Sequence, residues 1–401
     1  MRIQNSTKHT RLIMGLIIVL SILGPFAADI CIPSFPVMSH SLHTSHAWIK
    51  FSLSLYFFVF ALGQLFFGPL SDKLGRKRVI YYGLVLCLIG SVICALSTTL
   101  NMLLVGRAIQ ALGVSGGSAA SRSILRDTFK GTELATIASY LGMAISIAPA
   151  LAPLLGAYFQ LHYGWHSGFL FVFAYTFFLL FFIKIMLPET NQHYNPKALQ
   201  FSTFFNNYLQ LLKDPIYLSF VSSTMIVFGS IIGYITISTF LLQTELHLSL
   251  LAYGWTTTSI IGGMFIIRFI STRLLPYFSI RKLILLYSAI ITGMSLIMLS
   301  LSFFFFNLWV ILLPVIIILG LMSGVGPCCM AGALTPYKKK AGAAAALLGS
   351  FQVAGAAIAG LIVTQIHSHT QLPLALFLCA LAVSLLIINL IGLRLESKPT
   401  Q

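Results

Sequence analysis

A succession of continuous apolar runs, each close to the length that crosses a bilayer, constrains this chain more than any other feature. A helix spans the hydrocarbon core with about 20 consecutive apolar residues. Runs of that kind fall at 12–36, 48–70, 79–98, 101–123, 134–158, 168–187, 216–241, 251–271, 283–305, 307–327, 342–366 and 373–393. A transmembrane barrel would instead alternate apolar and polar residues in strands of about 10. Only 8% of the residues are charged and 58% are hydrophobic, whereas soluble domains carry roughly 25% charged residues. A water-soluble globular enzyme is thereby excluded. The first run follows Arg2, Lys8 and Arg11 as a signal peptide would. It is too long for such a peptide's apolar region, and no small-residue cleavage site follows, so it counts as a span. The pattern predicts an all-α polytopic membrane protein with twelve transmembrane helices.

The basic residues order these spans. Of the 24 Lys and Arg residues, 22 fall at one set of ends: at the N-terminus, around 73–78, 122–130, 184–213, 268–282 and 338–340, and at the C-terminus. Lys50 is on the opposite side and Arg107 lies inside a span. Cytoplasmic loops carry the Lys/Arg excess, so both termini are expected in the cytoplasm of a bacterial cell, with the chain in the inner membrane. A miscounted helix would invert everything after it. The net charge of +16 is accounted for in this way and implies no nucleic acid. Cys31, Cys87, Cys94, Cys328, Cys329 and Cys379 all sit in apolar runs and read as small buried apolar residues without zinc spacing.

The longest connection predicts a division into two six-helix halves, 1–188 and 216–401, joined by a cytoplasmic linker, 189–215, in which an interfacial helix fits 199–212. An offset of 205 residues lays the first half on the second. It carries the basic turn around Asp72–Arg78 onto Tyr277–Leu283, which keeps Arg281 and Lys282 but has no acid or glycine. Duplicated halves of this kind suggest a transporter with its site at the repeat interface.

The most specific motif is Gly68-Pro69-Leu70-Ser71-Asp72-Lys73-Leu74-Gly75-Arg76-Lys77, of the form G-x-x-x-D-[KR]-x-G-R-[KR]. Its glycines permit close helix approach and a tight turn, and Asp72 gives the cations one acceptor that can pair or release. A generic basic loop needs neither. This turn resembles the signature of the major facilitator superfamily. Within it, Ala28-Asp29-Ile30-Cys31-Ile32-Pro33-Ser34-Phe35-Pro36 is similar to the D-x-x-L-P-x-x-P segment of bicyclomycin/chloramphenicol-resistance drug:proton antiporters, with Ile32 for the Leu. Arg107–Gly113 with Arg126-Asp127, the run Ala148–Gly156 with Trp165-His166, and Ala341–Gly349 resemble further segments of the same proteins.

Asp29 is the one acid in the middle of a span. An ionisable group in hydrocarbon costs several kcal/mol and signals function by default. Pro25 and Pro33 each remove an amide donor, which predicts a helix bent around the carboxylate. Arg107 is the one base deep in a span. It either tunes the proton chemistry of Asp29, as the resemblance implies, or anchors neighbouring helices, and residue type alone leaves both readings open. Gly142, Pro149, Pro153 and Gly156 depart from the commoner antiporter pattern of a single Gly-Pro pair; the resemblance implies an antiporter helix motif, whereas bare physics reads only a kinked fifth helix. Tyr56, Gln110, Tyr234, Trp255 and Gln352 are candidate cavity residues, Tyr234 because the repeat offset sets it opposite Asp29.

Other patterns carry less. Gly113–Gly117 lies in a span and opens no nucleotide-binding unit, and no G-x-x-x-x-G-K-[ST] marks an ATP-driven pump. Eight of the ten histidines fall on the Lys/Arg-poor side. They read as uncharged polar loop residues there, in preference to a metal site or pH sensor. The expectation is a non-enzymatic transporter without cofactor or metal, acting as a monomer in the lipid bilayer and handling a small-molecule substrate and protons. Export of amphipathic compounds by antiport is the first reading. Proton-coupled import, or export of one narrow metabolite class, is the alternative.

Overall fold

The computed structural model describes residues 7–128, 151–191, 194, 208–274, 277–365 and 370–396, without the side chains of 7–12, 126, 272 and 338–342. Gly142 and Pro149 lie outside the described residues, as do the side chain of Arg126 and most of 199–212.

The described backbone is helical throughout its long segments, and no strand occurs in it. In hydrocarbon every backbone polar group must be satisfied within its own segment, which a helix achieves. The helices are α1 (Thr7–Asp29), α2 (Phe35–Ser41), α3 (His46–Leu74), α4 (Arg76–Ala95) and α5 (Leu100–Thr128), then α6 over 151–163 and α7 (His166–Met186). A short α8 covers 208–212, followed by α9 (Pro215–Phe240), α10 (Leu250–Leu274), α11 (Ile280–Leu301), α12 (Leu308–Leu334), α13 (Ala341–Thr364) and α14 (Leu372–Glu396). Ten spans among the described residues are long and apolar enough to cross a membrane. With α5, and with α6 covering the described end of the run predicted over 134–158, the described elements correspond to the twelve predicted runs. The length of α5 suffices, but it carries Arg107, Gln110 and Arg122 on buried or half-buried positions. Its polar groups are spent inside the protein, which lowers its apolar content.

The first span differs from expectation in where it breaks. Pro25 lies inside a continuous α1. The interruption comes at Pro33, where Ile32–Ser34 forms a 3-10 turn before the chain resumes as α2.

Two compact units emerge, one of Met1–Cys31 with Val59–Gln200, the other of Ile32–Phe58 with Phe201–Gln401. The segment Ile32–Phe58 therefore packs with the later helices, although it belongs by sequence to the first repeat.

The 205-residue offset is visible in the elements. It takes α4 onto α11, α5 onto α12 and α7 onto α14 within a few residues. The packing repeats too. In the first unit α4 packs on α5 and α7, and α1 packs on the same two helices. In the second, α11 packs on α12 and α14, and α9 packs on that pair and also on α13. Backbones touch where α4 meets α5: a Cβ on Gly83 would stand 2.6 Å from the carbonyl oxygen of Gly113. The glycine-rich run of α5 thus serves helix packing. All six cysteines are free and buried.

Candidate functional site

Asp29 is the last residue of α1, directly before the break, and is 2% exposed. The chain turns away after Ile30, whose N–H still donates to the Phe26 carbonyl at 3.1 Å. Pro33 has no N–H to continue the ladder. Before the break, the carbonyls of Ala27 and Ala28 accept from the Arg107 guanidinium at 2.8 and 3.4 Å. A cation at a helix C-terminus satisfies orphan carbonyls and complements the helix dipole.

Arg107 is held by its own neighbours. It donates to Gln110 Oε1 at 2.9 Å, Gln110 Nε2 donates to Ser91 Oγ at 2.9 Å, and Ser91 Oγ donates to the Cys87 carbonyl at 2.7 Å. Its guanidinium carbon lies 5.8 Å from the Phe169 ring centre. The anchoring reading of Arg107 therefore has a geometry: it braces the broken end of α1, and it is also the cation that acts electrostatically on Asp29. Gly156 of α6 packs against the same break, where any Cβ would run into the carbonyl oxygen of Ile30. In contrast to this well-filled surround, Asp29 Oδ1 has no hydrogen-bond partner among the described residues.

The basic turn forms a second cluster in the first unit. Gly75 adopts φ +102°, a conformation that disfavours a side chain. Arg76 forms an ion pair with Asp72, donates from Nε to Asp127 Oδ2 at 3.0 Å, and reaches Ser71 Oγ at 2.5 Å. Gly68 departs from the sequence expectation. It lies within α3, and nothing stands within 4 Å of where its Cβ would be, so no close approach requires it here.

Sequence reasoning missed the partner that completes this turn. Glu189, just beyond α7, accepts from the backbone N–H groups of Arg76 and Lys77 at 2.9 and 3.2 Å, and so caps α4. Asn191 adds a bond from Nδ2 to the Asp72 carbonyl at 3.0 Å. The repeat holds a counterpart. Arg281, at the position equivalent to Arg76, donates to Glu396 Oε1 from Nη2 at 2.6 Å and from Nε at 3.0 Å. It also bonds Asn389 Oδ1 at 3.1 Å and Ser219 Oγ at 3.0 Å, and lies 3.9 Å from the Phe220 ring centre. The acid absent from the local turn comes from the end of α14. An arginine preserved by the offset without its acid was the one signal pointing to it.

The five cavity candidates are not gathered by either unit alone, because Gln110 belongs to the first and Tyr56, Tyr234, Trp255 and Gln352 to the second. Tyr56 and Tyr234 are buried, Gln352 is half-buried, and Trp255 is 62% exposed. Both polar ends of Gln110 are engaged, by Arg107 and Ser91. Pro153 is buried within α6.

Comparison with known proteins places this geometry. A Bacillus subtilis protein named uncharacterized MFS-type transporter YdgK is 35% identical over 140 residues, a stretch covering 35% of each chain. The bicyclomycin resistance protein homolog of Haemophilus influenzae is 25% identical over 372 residues, 92% of this chain and 93% of that one. Multidrug resistance protein D of Escherichia coli is 27% identical over 138 residues, covering 34% of this chain and 35% of its own. Among solved structures, a D-xylose-proton symporter superposes with a TM-score of 0.76 at 15% identity, over 95% of this chain and 97% of that one, which establishes likeness of fold. The sequence profile of the Major Facilitator Superfamily matches residues 17–360. A duplicated bundle of spans with a broken first helix and a clasped basic turn, matched by that profile over most of its length, is a transporter of the major facilitator superfamily.

Proposed function

We propose that the chain is a proton-coupled antiporter that exports small amphipathic compounds across a bacterial inner membrane, working as a monomer with both termini in the cytoplasm. Asp29 is the coupling group in this reading. The single observation that supports it is a buried carboxylate, at the break of a membrane helix, with one oxygen lacking a hydrogen-bond partner among the described residues. Such a group is costly as an anion. Taking up a proton removes the charge, and accepting a hydrogen bond from a bound substrate's N–H or O–H at that oxygen compensates it. The two occupants compete, and competition at one group links their movements. Arg107, fixed on the Ala27 and Ala28 carbonyls, holds the break in place while Asp29 exchanges partners. An inward proton contributes about 2.3 kcal/mol per 100 mV of membrane potential.

The remaining elements serve the conformational cycle. Asp72, Arg76 and Asp127, on the turn at Gly75, form a clasp that closes in one state and releases in the other, and the same gating role is assigned to Gly68, Lys77 and Arg126. In the same reading Gly142, Pro149, Pro153 and Gly156 are the antiporter segment of the fifth span, of which Gly156 packs on the break of the first. Two relatives carry names that refer to resistance to bicyclomycin and to chloramphenicol, so these two compounds are the first probes. The test is substrate-induced proton flux in proteoliposomes with an imposed pH gradient, wild type against Asp29→Asn at matched protein amounts. Asn is nearly isosteric but cannot change charge. Coupled flux in the wild type and none in the variant supports the proposal. Equal coupled flux in both places the coupling elsewhere, and no flux with any compound of a broad panel refutes antiport.

A further inference from the structure

A cluster of aromatic and titratable groups lies in the second unit, at the Lys/Arg-poor ends of the helices and outside the site described above. The His46 ring, at the start of α3, stacks on the ring of Phe240, the last residue of α9, with centroids 4.3 Å apart and planes at 29°. One turn further along α3, the Lys50 ammonium stands 5.2 Å from the centre of the same ring, and Lys50 is only 4% exposed. Phe35 of α2 meets Phe240 at 6.5 Å, and His40 of α2 meets His46 edge-on at 6.5 Å. Immediately after Phe240 the chain adopts a π-helical turn, Leu241–Glu245, whose Gln243 donates from Nε2 to the Pro33 carbonyl at 3.2 Å. Turns of this type often mark functional positions. The contacts that join the tip between the first two spans to the end of the seventh thus include the Phe240 ring and the Gln243 hydrogen bond.

We propose that this fastening is a proton-operated latch, with His46 as the group that takes the proton. The inference rests on the transport reading above and adds to it a control on the side from which protons would arrive. The neutral imidazole stacks face to face on Phe240. Once protonated it becomes a second cation against the same ring as Lys50, beside His40, and at the N-terminal, positive end of α3. Glu245 is the one acidic group that acts on His46 in the opposite sense. Burial disfavours the imidazolium, and the Lys50 ammonium and His40 repel it, together outweighing the attraction of Glu245, so the stacked arrangement is weaker for the imidazolium than for the imidazole. The latch is therefore closed at high pH and loosens as the pH on this side falls. Loosening frees the Ile32–Phe58 segment from α9, and acid outside would favour the state that can load a proton.

Spin labels on the full-length protein in lipid nanodiscs test this directly. Ser45 and Thr244 are exposed, one on the tip and one on the π-helical turn, and the six native cysteines are buried. Distances between labels at Ser45→Cys and Thr244→Cys are compared at about pH 8 and about pH 5, the interval over which histidine titrates. The expected result is one short distance at the higher pH and an added longer population at the lower. His46→Gln should keep the short distance at both. Phe240→Leu, which removes the stacking ring but keeps an apolar side chain, should show the longer population at both. The same pH response should persist in Asp29→Asn, which separates the latch from the coupling site. No change with pH in the wild type overturns the proposal. So does a response that survives His46→Gln or is lost in Asp29→Asn, or a Phe240→Leu variant that stays short. Proton flux through Asp29, measured independently, decides the transport reading.

Discussion

The two repeats place an arginine at the same position and use it differently. Arg76 is shared between carboxylates from two helices, Asp72 on α3 and Asp127 on α5, whose side chains are 43% and 28% exposed. Arg281 is bound to one acid, Glu396, together with Asn389, Ser219 and the face of Phe220, all brought by α9 and α14. In both arrangements the guanidinium is buried and its acids are partly exposed, but the first divides the guanidinium between two carboxylates on two helices. The second fixes it on one carboxylate and on neutral groups, with no second acid to turn to among the described residues. Mid-membrane the asymmetry recurs. The offset sets Tyr234 opposite Asp29 and Leu312 opposite Arg107, and both counterparts are buried. Duplication has preserved the packing, while the groups that the proposed cycle uses are concentrated in the first copy.

The comparison breaks first at its centre. Asp29→Asn should reduce uphill export to background, whereas Tyr234→Phe at the equivalent position should leave proton coupling intact, and transport assays in proteoliposomes at matched protein amounts read both. Equal losses would mean that the copies share the coupling. The next largest contrast concerns the arginines. Arg281→Ala should lower thermal stability by about 2–3 kcal/mol, less than a fully buried pair because Glu396 is one-third exposed. Arg76→Ala should cost a similar amount of stability and more transport, and thermal melts paired with initial rates separate the two. A smaller effect is expected within the basic turn. Gly75→Ala places a side chain at φ +102° and against Glu189, and should cost about 1–2 kcal/mol with impaired transport. Gly68→Ala should stay within about 0.5 kcal/mol of wild type, because the position is open and helical. Impairment by Gly68→Ala would show that the open space is used in another state of the cycle.

Much of this was legible in the sequence because bilayer physics writes itself in long stretches. Apolar runs give the spans, and the Lys/Arg asymmetry gives their expected sense. A carboxylate alone in such a run identifies Asp29. Contacts that depend on distant partners left no local trace. Glu189 reads as a loop acid until the fold sets it at the N-terminus of α4, and Glu396 reads as a helix-end acid until α14 brings it to Arg281. The residue type of Arg107 allowed two roles, and only the turn of the chain at Ile30 shows which carbonyls it serves. The histidines of the first tip were read as neutral loop residues. The stacking of His46 on a ring almost 200 residues away in sequence gives that one a different setting.

The central claim is that one carboxylate holds either a proton or the substrate. Proton release on substrate binding tests it most directly. Purified protein in weakly buffered detergent solution, at a pH where the free transporter is protonated, is mixed with a transported compound while a pH indicator dye is followed. The account predicts release of a proton with substrate binding by the wild type and none by Asp29→Asn, whose binding is verified separately by calorimetry. Equal release by Asp29→Asn, or binding to the wild type with no release at any pH, would contradict it.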